Sequence, residues 1–153
     1  MALNLKSLLF VSLFIALVAA PIAEATVLFP IRLLQINGAV FCTPTGNNIG
    51  VNGTLSPPFP NATVRLQCGP GNVVANAITN PLGVFSTIVL FPLNLNLSSL
   101  LNICTLVVVT PLSNCNSTLP PVGLVSPIQL NGSIIIGPVN ITIIIPTRFQ
   151  ILR

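Results

Sequence analysis

The chain has 153 residues, of which 52% are hydrophobic and only 4% are charged. The chain has five basic residues and one acidic residue, and it contains no His, Trp or Tyr. Because proton transfer and metal binding depend mainly on His and carboxylates, this composition excludes most enzyme mechanisms. It also argues against nucleic-acid binding, which needs clustered Lys and Arg together with stacking aromatic side chains.

The N-terminal residues 1–25 have the pattern of a secretory signal peptide. A short positive region ends at Lys6, an apolar stretch covers residues 7–20, and a small-x-small cleavage pattern ends at Ala25. A retained transmembrane helix is the alternative, but Pro21 ends the apolar run before the about 20 residues that a span needs. We therefore expect cleavage after Ala25 and no membrane-spanning segment.

The remaining residues, 26–153, form one candidate domain made of strands and turns. Alternating apolar and polar residues predict half-buried strands at 34–42 and 63–68, each ending in an inward cysteine. Only residues 93–103 have helical potential, as an irregular or short helical connection, and the Asn52-Gly53 pair favours a hairpin. Further β-branched runs bounded by Gly, Pro or Asn predict strands at 73–79, 84–90, 104–110, 128–136 and 139–145. The pattern is that of an all-β domain, a small antiparallel β-sandwich or barrel of about seven short strands.

Four cysteines, an even number in a secreted chain, indicate two disulfides. Zinc is a poor alternative because the chain has no His and no CxxC pair. Four cysteines allow three pairings, and their spacing alone leaves all three open. The four residues are Cys42, Cys68, Cys104 and Cys115.

Six Asn-x-Ser/Thr triplets, none with Pro in the middle, are candidate N-glycosylation sites. Glycans would supply polarity to a surface that has almost no charge. Two of the triplets also lie next to strongly β-prone isoleucine runs, where glycans would oppose edge pairing. The acceptor residues are Asn52, Asn61, Asn96, Asn116, Asn131 and Asn140.

The search for catalytic and cofactor-binding residues finds no candidates. A Ser or Thr nucleophile needs a base, and residues 26–153 contain no His, Lys, Asp or Glu. Cleavage after Ala25 would expose Thr26, whose α-amine is the one base available to a hydroxyl, but no partner groups are visible. We expect a non-enzymatic protein without a metal or cofactor.

Two sequence blocks carry a resemblance to a known family. Residues 36–54 read INGAVFCTPTGNNIGVNGT, and residues 59–69 read FPNATVRLQCG. These blocks, with the later cysteine segments, resemble the plant phylloplanins over essentially all of residues 26–153. The chain is more distantly similar to the pollen Ole e 1-like secreted proteins, although two of the six cysteines usual there are absent. The acidic residues usual before the Gly83-x-Phe85 turn are also replaced.

The resemblance implies an extracellular protein of the leaf surface or apoplast with no enzymatic activity. Phylloplanins inhibit germination and growth of oomycete and fungal spores, which implies a microbial surface or spore component as the partner. The apolar composition is also compatible with contact to a waxy or lipid surface. Two alternatives are a structural protein of the cell wall and a carrier of small apolar ligands, which would need an interior cavity. The oligomeric state does not follow from the sequence.

The resemblance also implies a disulfide pairing. The Ole e 1-like pattern joins the cysteine of the first strand to the one in the loop after the late strand, which corresponds here to Cys42 with Cys115. Cys68 is then left with Cys104. Pairing Cys104 with Cys115 is the sharpest alternative on chain length alone, because a short loop closes easily.

Overall fold

The computed structural model describes residues 30–48 and 55–153. The expected signal peptide and the hairpin expected at Asn52-Gly53 lie outside the described residues. A short 3-10 turn at Leu112–Asn114 follows the fifth strand. The elements in chain order are β1 (Ile31–Ala39), β2 (Thr63–Cys68), β3 (Val73–Ile78), β4 (Val84–Leu90), α1 (Leu97–Ile103), β5 (Cys104–Val108), β6 (Leu124–Ile136), β7 (Val139–Pro146) and β8 (Gln150–Ile151).

Seven of the strands form one strongly curved sheet in the order β3-β2-β5-β6-β7-β1-β4. The two ends of this order, β3 and β4, lie beside each other, so the sheet nearly closes into a barrel. The short β8 pairs with the start of β6. The prediction of a small all-β sandwich or barrel of about seven short strands is therefore confirmed, and the structure has the barrel-like form.

The sheet is antiparallel except at one pair. β1 runs parallel to β7, with Ile31 opposite Val139 and Ile36 opposite Ile144. The sequence analysis predicted an antiparallel sheet, and it missed this pair because the residue pattern of a strand does not reveal the direction of its neighbour. The parallel pair joins the first strand to a strand near the C-terminus, and it brings the two ends of the domain together.

Most predicted elements are present, with shifted ends. β2 and β4 have the expected bounds, whereas β1 lies three residues earlier than predicted. The reason is that Val40 and Phe41 leave the sheet to bond Gly83 and Gly46 in the adjoining turns. β6 begins four residues earlier than predicted, because Pro127 is accommodated inside the strand. The short helical connection is present as α1, and no helix in the described residues has the length and apolar character needed to span a bilayer.

The side chains that alternate inward along the strands form the core. In β1 and β2 the inward positions are buried as predicted, including Leu34, Ile36, Val64 and Leu66. Four of the five phenylalanines in the described residues also lie in this core. They are Phe59, Phe85, Phe91 and Phe149.

Two glycines allow close packing around Phe85. Gly38 lies opposite Phe85 in the β1–β4 pair, and a Cβ atom at Gly38 would lie 2.5 Å from the Phe85 Cζ atom. Gly83, in the turn before β4, has a φ of 77° and packs against the backbone of Val40. A side chain at Gly83 would therefore meet both a left-handed backbone conformation and an occupied site.

β6 and β7 extend beyond the barrel as a long hairpin. β6 pairs with β5 only as far as Pro127, and it then continues along β7 to Ile136. A bulge interrupts the β6–β7 pairing between Leu130 and Gly132. In the described residues, no strand pairs with the other edge of β6 from residue 129 to residue 136.

Replacing Gly38 by Ala should destabilise the domain through a clash with Phe85. We expect a loss of about 1–3 kcal/mol in the free energy of unfolding, which is typical of an overpacked core. Urea denaturation followed by circular dichroism measures it. In a Phe85→Leu background the ring is gone, so the same Gly38→Ala change should cost at least about 1 kcal/mol less. Equal costs in the two backgrounds would show that the ring is not the cause.

Candidate functional site

The described part of the chain offers little for chemistry. Its charged side chains are Arg32, Arg65, Arg148 and Arg153, and it contains no group of three or more side chains that could hold a metal ion. Arg32 lies over the Phe91 ring, with its guanidinium carbon 4.3 Å from the ring centroid. This contact stabilises the charge on an apolar surface.

Two buried hydroxyl groups, those of Thr79 and Ser126, form hydrogen bonds with backbone groups. The Thr79 hydroxyl donates to the Phe59 carbonyl at 2.5 Å and accepts from the Ala62 amide at 2.8 Å. The Ser126 hydroxyl accepts from the amides of Thr147 and Arg148, both at 3.1 Å. Sequence analysis did not single out either residue, because a Ser or Thr in a strand gives no sign of which backbone group it will bond.

The two disulfides fasten opposite parts of the barrel. Cys68 on β2 and Cys104 on β5 face each other in the sheet and are bonded. Cys42, just after β1, is bonded to Cys115, just after the 3-10 turn. The pairing in the structure is the one that the resemblance implied, and the described residues contain no free cysteine.

Each disulfide closes a long loop, so each should contribute strongly to stability. The sequence separations are 73 residues for Cys42–Cys115 and 36 residues for Cys68–Cys104. The chain-entropy model gives about 4 kcal/mol for either bond. We expect either Cys→Ala double variant to lower the free energy of unfolding by that amount, as measured by urea titration. A loss of this size is a large part of the total stability of a typical domain.

Peptide mapping without reduction checks the pairing itself. The expected cross-linked peptides contain Cys42 with Cys115 and Cys68 with Cys104. A peptide joining Cys104 to Cys115, or a free thiol at any of the four positions, would contradict the assignment.

Five of the six candidate glycosylation sites lie in the described residues, and the sixth, Asn52, lies outside them. Four side chains are exposed and Asn140 is half-buried. Asn96 caps α1, its Oδ1 accepting from the Ser99 amide at 2.7 Å. Asn116 Oδ1 accepts from the amide and hydroxyl of Thr118, in its own triplet. Both contacts use Oδ1 and not Nδ2, the atom that carries an N-glycan. The four exposed residues are Asn61, Asn96, Asn116 and Asn131.

A glycan at Asn131 would lie beside the edge of β6 described above. That edge continues into Ile134–Ile136, an uncharged and β-prone segment, and such edges promote pairing between chains. We expect Asn131→Gln to increase light scattering of the purified protein on storage, because a glycan at this position could no longer shield the edge. Asn116→Gln, at an exposed site far from this edge in the sequence, is the matched control and should leave scattering unchanged. Equal scattering of both variants and the parent protein would contradict this role for the glycan.

A surface cleft of about 950 Å³ is one concave feature of the described residues. One wall consists of β8 with the residues on either side of it, including Arg148, Phe149 and Arg153, and Pro44 and Thr45 from the loop after β1 form another. Because two positive charges lie in its lining and no acid lies in the described residues, the cleft favours an anionic ligand over a cationic one. The sequence analysis did not predict this cleft, because the loop that completes it is about 100 residues away in the chain.

The interior of the barrel is filled. The gap lined by Ile36, Leu66, Phe85 and Leu106, among others, has an empty volume of about 150 Å³ and does not admit a water-sized sphere. Pockets that hold small molecules usually measure about 300–1,000 Å³. This gap is therefore too small for a carried lipid.

Comparisons with known proteins agree with one another. A family model described as "Phylloplanin antifungal protein" matches residues 30–153. A protein named phylloplanin from Nicotiana tabacum is 46% identical over 108 residues, which is 71% of this chain and 67% of the tobacco protein. No solved structure gives a significant match. With a family match across the whole barrel and this degree of identity, the chain belongs to the phylloplanin family.

Proposed function

We propose that this protein is secreted and inhibits spore germination of oomycetes or fungi at the plant surface, without catalysing a reaction. The observation that carries the proposal is the family match over residues 30–153, whose description names an antifungal protein. The signal-peptide pattern of residues 1–25 supports export, and the disulfides suit an oxidising extracellular environment. An extracellular interaction protein of the cell wall is the alternative function.

The basic cleft is the surface that we propose for contact with the microbial target. Cell surfaces of microbes carry anionic groups, and the two arginines in the cleft would attract them without opposition from nearby acids. Ile151 and Leu152 in the same cleft add apolar area beside the charges. The Arg148 backbone amide donates a hydrogen bond to the Ser126 hydroxyl, so the position of the Arg148 backbone does not depend on the arginine side chain.

A germination assay tests both parts of this proposal. We expect the purified, glycosylated and disulfide-bonded protein to inhibit germination of oomycete or fungal spores in proportion to its concentration. The double variant Arg148→Gln/Arg153→Gln should need at least about a fivefold higher concentration for half-inhibition, because it loses both charges of the cleft. Arg65→Gln, on β2, is the matched control and should inhibit like the parent protein.

The outcomes separate the function from the site. If the parent protein leaves germination unaffected but binds wall polysaccharide, the cell-wall alternative replaces the antifungal function. If the parent protein inhibits and the double variant inhibits equally well, the function stands and the assignment of the cleft is wrong.

A further inference from the structure

Four neighbouring strands carry a second apolar surface on the outside of the sheet. In β1, Leu34 and Ile36 point into the core, so the alternate residues Ile31 and Leu33 point outward. The pairing register extends this outward set across β4, β7 and the end of β6. We call this surface the outer face; its aliphatic residues are Ile31, Leu33, Val84, Ile88, Leu90, Ile134, Ile136, Val139, Ile141, Ile143 and Ile145.

The outer face is exposed and has no charge. Ile88 is 53% exposed, Leu90 72% and Ile136 63%, whereas residues in the middle rows are half-buried by their neighbours. Its polar groups are gathered at one end, where the Asn37 Oδ1 atom accepts from Gln35 at 3.2 Å and from Ser86 at 2.7 Å. These bonds satisfy part of the hydrogen-bonding capacity of the three side chains.

The five acceptor residues in the described part of the chain lie off the outer face. Asn140 is opposite Arg32 in the β1–β7 pair, on the side of the sheet that points to the core, and so away from the outer face. Asn131 lies at the bulge of β6, outside the aliphatic rows. The other described acceptors, Asn61, Asn96 and Asn116, lie outside the four strands altogether.

The size of the outer face suits an interface between proteins. Four strands spaced about 4.8 Å apart, with about seven residues of about 3.3 Å each, give a flat footprint of roughly 400 Å². Side-chain relief makes the accessible area larger than the footprint, so two copies in contact would bury on the order of 1,000 Å² or more. This is the range in which specific interfaces begin.

We propose that the outer face is a dimer interface, on which a second copy of this chain packs sheet against sheet. Two pleated aliphatic surfaces of the same twist interdigitate well, with about 10 Å between the sheets. No arginine lies on the outer face, so the net positive charge opposes the contact only weakly.

Sedimentation velocity of the glycosylated, secreted protein tests the proposal. We expect a dimer at micromolar concentration. Ile88→Lys on β4 and Ile134→Lys on β6 should each raise the dissociation constant at least about 100-fold, because each buries an unpaired charge in the interface. Both residues are exposed in the single copy, at 53% and 45%, so the variants should still fold.

Two control variants separate the outer face from other contacts. Ile135→Lys changes a residue that is 73% exposed on the opposite side of the same strand, and Ile103→Lys changes one that is 49% exposed at the end of α1. Both should remain dimeric. Circular dichroism and melting temperature, equal across the four variants, show that any loss of the dimer is not a loss of the fold.

Several outcomes would overturn the proposal. The proposal is wrong if the parent protein is monomeric at all concentrations. If that monomer binds wax-coated or phospholipid vesicles and the Ile88→Lys variant does not, the outer face contacts a lipid surface instead. Dimers that persist in both outer-face variants would place the interface elsewhere. Loss of the dimer in Ile134→Lys and Ile135→Lys but not in Ile88→Lys would indicate pairing through the edge of β6.

Discussion

The parallel pairing of β1 with β7 is the contact on which the rest of the architecture depends. β1 bonds β4 on one side and β7 on the other, so it connects β4 to the C-terminal hairpin of β6 and β7. Without it the sheet would have two additional open edges, and Leu34 and Ile36 would lose the neighbours that bury them. The same pairing begins at Ile31, beyond the barrel, and thereby extends the sheet that carries the outer face.

Local pattern was a good guide where only one side of a strand is apolar. β2 alternates strictly, with Val64 and Leu66 inward and Thr63 and Arg65 outward, and its bounds were predicted correctly. The isoleucine runs of β6 and β7 are apolar on both sides, a pattern usually found in strands that are covered on both faces. Sequence could therefore predict the strands but not that one face would stay exposed, because the covering partner is a long-range property.

The candidate site residues also differ in how far the local sequence predicts them. The cysteines and acceptor asparagines are recognisable from local motifs, but the residues alone left three disulfide pairings open, and the resemblance indicated one. The physical reason for Cys68–Cys104 is the register of β2 and β5, which no local spacing encodes. The basic cleft is similar, since Thr45 and Arg148 meet only after the barrel closes. β8, with two residues, was too short to give any periodic signal.

Copies of a chain with exposed apolar surface and so few charges can associate in two ways. One way ends at a dimer, and the other can continue to add chains. Contact through the outer face would use the same aliphatic residues on both copies, so a two-fold arrangement closes at two and consumes the apolar area. The edge of β6 offers unpaired backbone groups beside Ile134–Ile136, and strands added there can recruit further strands. A glycan on Asn131 would obstruct the addition of strands at the β6 edge. Asn140 lies on the opposite side of the sheet from the outer face, so a glycan there would leave the dimer contact accessible. Placement of the acceptor residues, more than their number, is thus what would keep a nearly uncharged barrel from aggregating.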